Sequence, residues 1–412
     1  MREILFLAHR IPYPPNKGDK IRSWHTLRHL AARHRVHLGC FVDDPDDLRH
    51  VPMLRALCGE VLALPLAPAT ARLRCLRGLW TGEPLTLAWY GSARMTAWTR
   101  GVLRARPVDA VVAFSSAMAP FAAVPEAEGR ARIVDMVDVD SEKWRQYAGT
   151  RPWPLRRVFE REGRTLLAVE RAAAAAADAV LFVSPAEAEL FRTLAPESAA
   201  RVLAVENGVD HGFFAPGGGY PNPFPAGTVP VVFTGAMAYW PNADAAEWFA
   251  NAVLPAVASA VPGVRFHVVG ANPGAAVRAL ARAGPVEVTG TVPDVRPYLA
   301  HARAVVAPLR VARGVQNKVL EAMAMGCPVL ATPEAAEGID AVAGVHLRVA
   351  ERDGFAAALT ALLRDPQAAA MGQRARRLVV KRYDWSRTLA PLDALVARPG
   401  AMAGPDRRSG AA

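Results

Sequence analysis

The sequence predicts two α/β domains, each a parallel sheet wrapped in helices and Rossmann-like in outline. Three observations lead there. The chain has 412 residues, too many for one typical core and suited to two domains of roughly 200 residues. Each half alternates short apolar runs with segments of helical spacing. Between the halves lies a stretch rich in glycine and proline, residues 216–230 (PGGGYPNPFPAGTVP), which cannot hold a regular element.

In the first half, residues 4–8, 36–42, 110–114, 133–136 and 179–183 are short apolar runs of the kind that forms buried parallel strands. A loop with Pro12, Pro14, Pro15 and Gly18 follows the first run. It leads into a predicted helix over 20–32, with Ile21, Trp24, Leu27 and Leu30 at helical spacing. The second half repeats the rhythm, with strands expected at 231–234, 265–269, 286–289, 304–307 and 329–331. Helices are expected at 243–258, 275–283 and 319–325. The domains expected are therefore 1–210 and 231–384 with a linker at 211–230. A C-terminal helix near 385–398 would pack back on the first domain, and a disordered tail would cover 399–412. The six alanines 172–177 read as the interior of a helix.

Apolar residues make up 52% and charged residues 21% of the chain, which excludes global disorder. The formal net charge is +11, and the excess is spread over both halves rather than held in a tail. Phosphorylated ligands, anionic membranes and nucleic acid would all suit it. No reading element for nucleic acid is recognisable, so none is expected as a partner. Cys40, Cys58, Cys75 and Cys327 form no CxxC pair, so neither a zinc site nor a disulfide framework is expected and a reducing compartment fits. No apolar window reaches the length of a membrane span, and the N-terminal run is too short for a signal peptide. The protein is expected to be cytoplasmic.

The strongest constellation is RGVQNKVLEAMAMGCPVLAT, residues 313–332. A loop containing Gly314 and Asn317 opens a helix, and Gly326 and Pro328 end it. Free amides at such a helix start face anions, and Lys318 adds a mobile positive charge there. Glu321, in the first turn, can accept hydrogen bonds from two vicinal hydroxyls. Arg310 and Arg313 could share the charge of a diphosphate. A capped amphipathic helix with charged surface residues accounts for the same spacing equally well.

This segment resembles the signature of the family 4 (group 1) glycosyltransferases, in which E-x7-E is followed by A-M-A-x-G-x-P-V. Further pieces appear in family order: VSPAEAELF (183–191), NGVD (207–210), VFTGAMAYWPN (232–242), FHVVG (266–270) and VTGTVPDVRPYLAHARAVVAPLR (288–310). PYPPNKGDKIRSW (12–24) and DVDSEKW (138–144) are most similar to the branch associated with exosortase (PEP-CTERM) exopolysaccharide loci. The resemblance implies a GT-B fold, two Rossmann-like domains facing each other across a cleft. It implies a retaining transfer from a nucleotide-sugar co-substrate, with no metal at the diphosphate and no other cofactor. It assigns Lys318 to the diphosphate and Glu321 to the donor ribose. The first Glu of the motif falls on Arg313, so the usual contact to the transferred sugar is replaced. The usual Arg after the first strand of the second domain is also absent; GAMAYWPN stands there, with Gly235 allowing close backbone approach. Arg310 or Arg313 would supply the missing charge. Gly18 would bring backbone amides toward the donor phosphate and the acceptor. It stands alone without GxGxxG, which argues against a dinucleotide.

Asp135, Asp138 and Asp140 lie within six residues at the end of a predicted strand. Asp138 falls where the family carries a residue near the transferred sugar, and a base-like or orienting role is expected of it. Asp140 is equally suited to capping the helix that follows. A hard cation could use the same carboxylates, although no metal is expected. His9 ends the first strand, His25 and His29 form an i, i+4 pair without a third zinc ligand, and His301 reads as structural.

Residues 72–106 hold seven arginines and one glutamate, interleaved with Leu73, Leu76, Leu79, Trp80, Trp89, Tyr90 and Trp98. Such a pattern suits either an anionic membrane surface or a charged face over an ordinary core. Peripheral attachment at the inner face of the plasma membrane, and a glycan or lipid-linked acceptor, are compatible with it. Two other readings fit parts of the sequence. One is a nucleotide-sugar epimerase of the same fold. The other is a non-catalytic nucleotide-sugar-binding protein, which Arg313 keeps open.

Overall fold

The computed structural model describes residues 1–149, 152–282, 284–312 and 314–398. Arg313 and the tail 399–412 lie outside the described residues. The chain divides into two units, one of Met1–Glu206 to which the chain returns from Leu389, and one of Asn207–Thr388.

The first unit is built on a seven-stranded parallel sheet: β1 (Glu3–Ala8), β2 (Arg35–Val42), β3 (Val61–Pro65), β4 (Val108–Phe114), β5 (Ala131–Val137), β6 (Ala179–Phe182) and β7 (Val202–Ala204). Their order is β3-β2-β1-β4-β5-β6-β7. Every residue of β1 after Glu3 is buried, as a central strand covered on both faces requires. The order reverses between β1 and β4, which pair from Ile4 opposite Ala110 to Ala8 opposite Phe114. A crevice outside the carboxyl ends of two such strands is where doubly wound sheets bind ligands. β3 and β7 had no expectation from the sequence. β3 is mostly half-buried, and β7 is three residues long.

A buried ion pair ties this unit together. Arg22, on the Gly18–Ala31 helix, places Nε 2.9 Å from Asp135 Oδ2 and donates from Nη1 to the Val205 carbonyl at 2.7 Å. The Ala390–Ala397 helix returns to the same unit. Leu392, Leu395 and Val396 are buried, Asp393 meets His29 Nε2 at 2.8 Å, and Arg2 donates to the Ala397 carbonyl at 2.9 Å.

The second unit holds a six-stranded parallel sheet: β8 (Val229–Thr234), β9 (Val264–Val269), β10 (Val286–Gly290), β11 (Ala304–Ala307), β12 (Val329–Ala331) and β13 (Arg348–Val349), in the order β10-β9-β8-β11-β12-β13. Here the reversal falls between β8 and β11. Its core centres on Phe233, Phe249, Phe266 and Phe355, with the Phe249 and Phe266 rings 4.3 Å apart. The helix expected over 243–258 starts earlier, at Trp240 with Pro241 in its first turn, and passes through a π-turn at Phe249–Val253 before Leu254–Ala260. The glycine- and proline-rich stretch is part of this unit rather than a free linker. Phe224 is buried in the core beside His267, and His301 Nε2 meets the Tyr220 carbonyl at 2.8 Å.

Candidate active site

β8 ends at Thr234, and Gly235 follows with φ 153°. A Cβ on Gly235 would stand 2.8 Å from Asn242 Nδ2 and 3.5 Å from Lys318 Cε, so only glycine lets both side chains close over the strand end. Gly270, after β9, is tighter still: its Cβ would lie 1.7 Å from the Gly235 carbonyl oxygen. The Gly235 N–H donates to the Val269 carbonyl at 3.1 Å, and the Gly270 N–H to that of Gly290 at 3.2 Å. Three neighbouring strands thus end in glycines locked to one another.

The Trp240–Trp248 helix supplies Asn242, which is buried. Its Nδ2 donates to the Ala236 carbonyl at 3.0 Å, which fixes the amide orientation. Its Oδ1 then accepts from Lys318 Nζ at 2.7 Å. The ammonium also stands 5.4 Å from the centre of the Phe233 ring, a favourable cation–π distance.

Lys318 and Glu321 belong to the Asn317–Ala324 helix, which follows β11 through the loop containing Gly314. Gln316 precedes the helix in an extended conformation and gives no side-chain cap. The Val319 and Leu320 amides donate to the Gln316 carbonyl at 2.9 and 3.3 Å, and among the described residues no side chain caps those of Asn317 and Lys318, which is the condition for anion binding. Lys318 and Glu321 are three positions apart, so both lie on one face. Each is half-buried. Burial pushes the Lys318 ammonium down to about 8, against the pull of Glu321, and pushes the Glu321 carboxyl up to about 7, against that of Lys318. No hydrogen bond reaches the Glu321 carboxylate among the described residues, which leaves it available as an acceptor.

In the first unit, the loop after β1 gathers charge. His9 stacks on Phe114 at 5.9 Å and meets Asp19 through Nε2 at 3.2 Å. Arg10 donates to Asp19 at 2.6 Å, and its Nε lies 3.2 Å from Asp43, which also meets Lys17 at 3.3 Å. His9 and Arg10 hold the Asp19 carboxyl far below the usual range despite its burial. Gly18 opens the helix, exposed, with nothing near where a Cβ would stand.

Residues 229–365 match the family described as glycosyl transferases group 1. The second unit carries a group 1 glycosyltransferase domain. The enzyme class that this domain gives the chain is glycosyltransferase. The fold of the whole chain agrees. The sucrose-phosphate synthase of Thermosynechococcus elongatus is similar at 18% identity, with a TM-score of 0.71, over 96% of this chain and 98% of that one. HepE of Anabaena, in complex with UDP-glucose, is similar at 16% identity and a TM-score of 0.66, over 96% of this chain and all of that one (100%). WaaG, a glycosyltransferase involved in lipopolysaccharide biosynthesis, is similar at 18% identity and a TM-score of 0.65, over 96% and 100%. These likenesses place the glycosyltransferase among two-domain GT-B structures. No curated protein sequence matches the chain.

Of the donor residues expected in the glycosyltransferase, the structure brings Gly235, Lys318 and Glu321 to one strand end. Asn317 is nearby on the same helix, its Oδ1 3.1 Å from Asn207 Nδ2. Gly314 has φ 62°, a left-handed position in the loop that leads to the helix. Arg310 is already engaged within the second unit. Its guanidinium is engaged by the Asp244 carboxylate, with Nε–Oδ2 at 2.8 Å and a second contact from Nη2 to Oδ1. A paired guanidinium is not a free charge for a diphosphate. The carboxylate cluster also separates. Asp135 is buried against Arg22, whereas Asp138 and Asp140 share Lys143 Nζ at 2.6 and 3.2 Å. Asp140, suited in the sequence to capping, spends its carboxylate on this ion pair. Among the described residues no group of three or more His, Cys, Asp or Glu could hold a metal ion. Asn242 carries no expectation from the sequence beyond its place in a quoted segment, and Asp244 none beyond the expected helix, yet each sets the position of a predicted cation.

Proposed function

We propose that the protein is a retaining glycosyltransferase that moves a sugar from a nucleoside-diphosphate donor to a glycan or lipid-linked acceptor in exopolysaccharide assembly, in the exosortase-associated branch. The observation that carries the donor assignment is Lys318, half-buried and pinned by Asn242 beside Glu321 at the end of β8. An ammonium there neutralises the diphosphate as it leaves, and the uncapped amides ahead of it add further donors. Glu321 accepts from the ribose hydroxyls. Retention of configuration, the exopolysaccharide role and the acceptor class follow from the sequence resemblance. HepE, a structural neighbour, is solved with UDP-glucose, which supports a nucleotide sugar as co-substrate. Asp138 orients the sugar or the acceptor hydroxyl, with Lys143 Nζ 2.6 Å from its carboxylate. The reading places the reaction in the cytoplasm; among the described residues no helix is long and apolar enough to cross a membrane.

A thermal-shift screen over UDP-, GDP- and TDP-sugars tests the assignment. A donor at about 100 times its Kd stabilises by about 2.7 kcal/mol, and Lys318→Ala removes that shift. If no nucleotide sugar stabilises the protein, the reading falls. Donor turnover excludes the binding-only alternative. The anomeric configuration of the product, read by NMR, decides retention.

A further inference from the structure

The Pro68–Thr81 helix carries its large apolar residues on the wrong side for a packed helix. Its inward face is small and polar. Ala71 and Gly78 are buried, and a Cβ on Gly78 would stand 3.3 Å from Ala88 Cβ. Arg74 donates from Nε and Nη2 to the carbonyls of Ala88 and Trp89, each at 2.8 Å. Its outward face shows Leu73 at 66%, Leu76 at 58% and Trp80 at 92% exposure. Their spacing of i, i+3 and i+7 makes one stripe. Arg72 and Arg77 flank that stripe, exposed, and make no ion pair among the described residues.

A second exposed apolar group lies close by. Trp153 and Leu155 are 79% and 50% exposed where the Leu155–Ala176 helix begins, next to Arg156 and Arg157, which both pair with Glu160. Arg161 on that helix donates to the Gly78 carbonyl at 2.7 Å. Six residues of helix separate Arg161 from Leu155, about 9 Å along the axis. Trp89, Trp98 and Tyr90, which the sequence pattern placed with this group, are half-buried or buried and do not join it. Arg100 and Arg104 are taken up by Glu126, and Arg106 by Glu60.

We propose that this face of the first unit docks on an anionic lipid bilayer. Trp80, Leu76 and Leu73 enter the boundary between headgroups and acyl chains, and Arg72 and Arg77 meet lipid phosphates. The charge distribution selects this occupant. Residues 61–82 contain no aspartate or glutamate. A second copy of the chain, meeting this face by a two-fold axis, would set these arginines against themselves. A bilayer rich in phosphatidylglycerol complements them. The proposal does not depend on which sugar is transferred, and its test reads separately from the donor screen.

Flotation of the full chain with vesicles distinguishes the outcomes. The protein is expected to float with equimolar phosphatidylglycerol and phosphatidylcholine at low salt, far less with phosphatidylcholine alone, and less as salt rises. Leu76→Ser with Trp80→Ser lowers the bound fraction about tenfold or more and leaves the unfolding midpoint unchanged, since both side chains face solvent. Arg72→Glu with Arg77→Glu removes the preference for anionic vesicles. No flotation with anionic vesicles, or equal flotation of wild type and both variants, overturns the proposal. So does a dimer in sedimentation velocity that Trp80→Ser dissolves while vesicle binding is absent.

Discussion

Lys318 donates to the Asn242 side-chain oxygen at 2.7 Å, and this one contact fixes the cation of the proposed donor site to the end of β8. The amide is itself held by Ala236, so the ammonium is positioned before any ligand arrives. Removing the tether lets the lysine swing and leaves the backbone as it was. Asn242→Ala is expected to weaken donor binding about tenfold, the value of one hydrogen bond to a charged group. Isothermal titration with the donor found in the screen measures it. An unchanged Kd would show that Asn242 does not position the cation.

The pH dependence follows from the same pair. Burial lowers Lys318 to about 8, so its ammonium is present below that value and lost above it. Burial raises Glu321 to about 7, so its carboxylate exists above that value and is protonated below it. A diphosphate needs the ammonium, and ribose hydroxyls need the carboxylate as acceptor. Donor affinity should therefore rise through about pH 7, fall beyond about pH 8, and peak between them. Glu321→Gln flattens the acidic limb, and Lys318→Ala the alkaline limb. Asn242→Asp places a carboxylate against the ammonium and moves the alkaline limb upward. Profiles of donor Kd from pH 5 to 10, about one unit apart, check each limb.

The glycine contacts predict a graded loss. A methyl group on Gly235 meets the far end of the Asn242 amide at 2.8 Å, so Gly235→Ala pushes that amide off Lys318. It should cost about 1–3 kcal/mol of stability and also weaken donor binding. A methyl group on Gly270 meets the Gly235 carbonyl at 1.7 Å, where backbone has to move. Gly270→Ala should be the more destabilising of the two in urea unfolding. Equal midpoints for both variants would contradict the packing described for these strand ends.

Much of this architecture was legible because central parallel strands are continuous apolar runs. β1, β4, β8 and β11 lie near their expected positions for that reason, and the order reversals between them put Gly235 and Lys318 at one strand end. What stayed hidden was pairing across distance. Asn242 and Asp244 sit in WPNADAAEW as ordinary helix residues, yet their partners are 76 and 66 positions away. No local period reports such contacts, so Arg310 read as an available charge. Likewise Asp135 and Asp138 are three residues apart but serve different ends, because the Arg22 that claims Asp135 is 113 positions distant. The edge strands β3, β7 and β13 escaped notice through shortness or partial exposure. The resemblance to group 1 enzymes supplied Lys318 and Glu321, which spacing alone left as one of two readings.

The Arg22–Asp135 pair offers the sharpest separation of structure from chemistry. Both side chains are fully or nearly buried, and Arg22 also satisfies the Val205 carbonyl. Asp135→Asn leaves a guanidinium in the interior without its counter-charge, and such half-pairs cost about 3–5 kcal/mol. Arg22→Met with Asp135→Leu removes both charges and should recover a large part of that loss, because two apolar side chains need no partner there. A role for Asp135 in the reaction predicts another pattern: the double variant would regain its unfolding midpoint yet stay without transfer activity. With Asp135 purely structural, transfer activity returns with stability, and the donor Kd of the double variant matches that of the wild type. Urea unfolding and donor titration on the same samples separate the two outcomes.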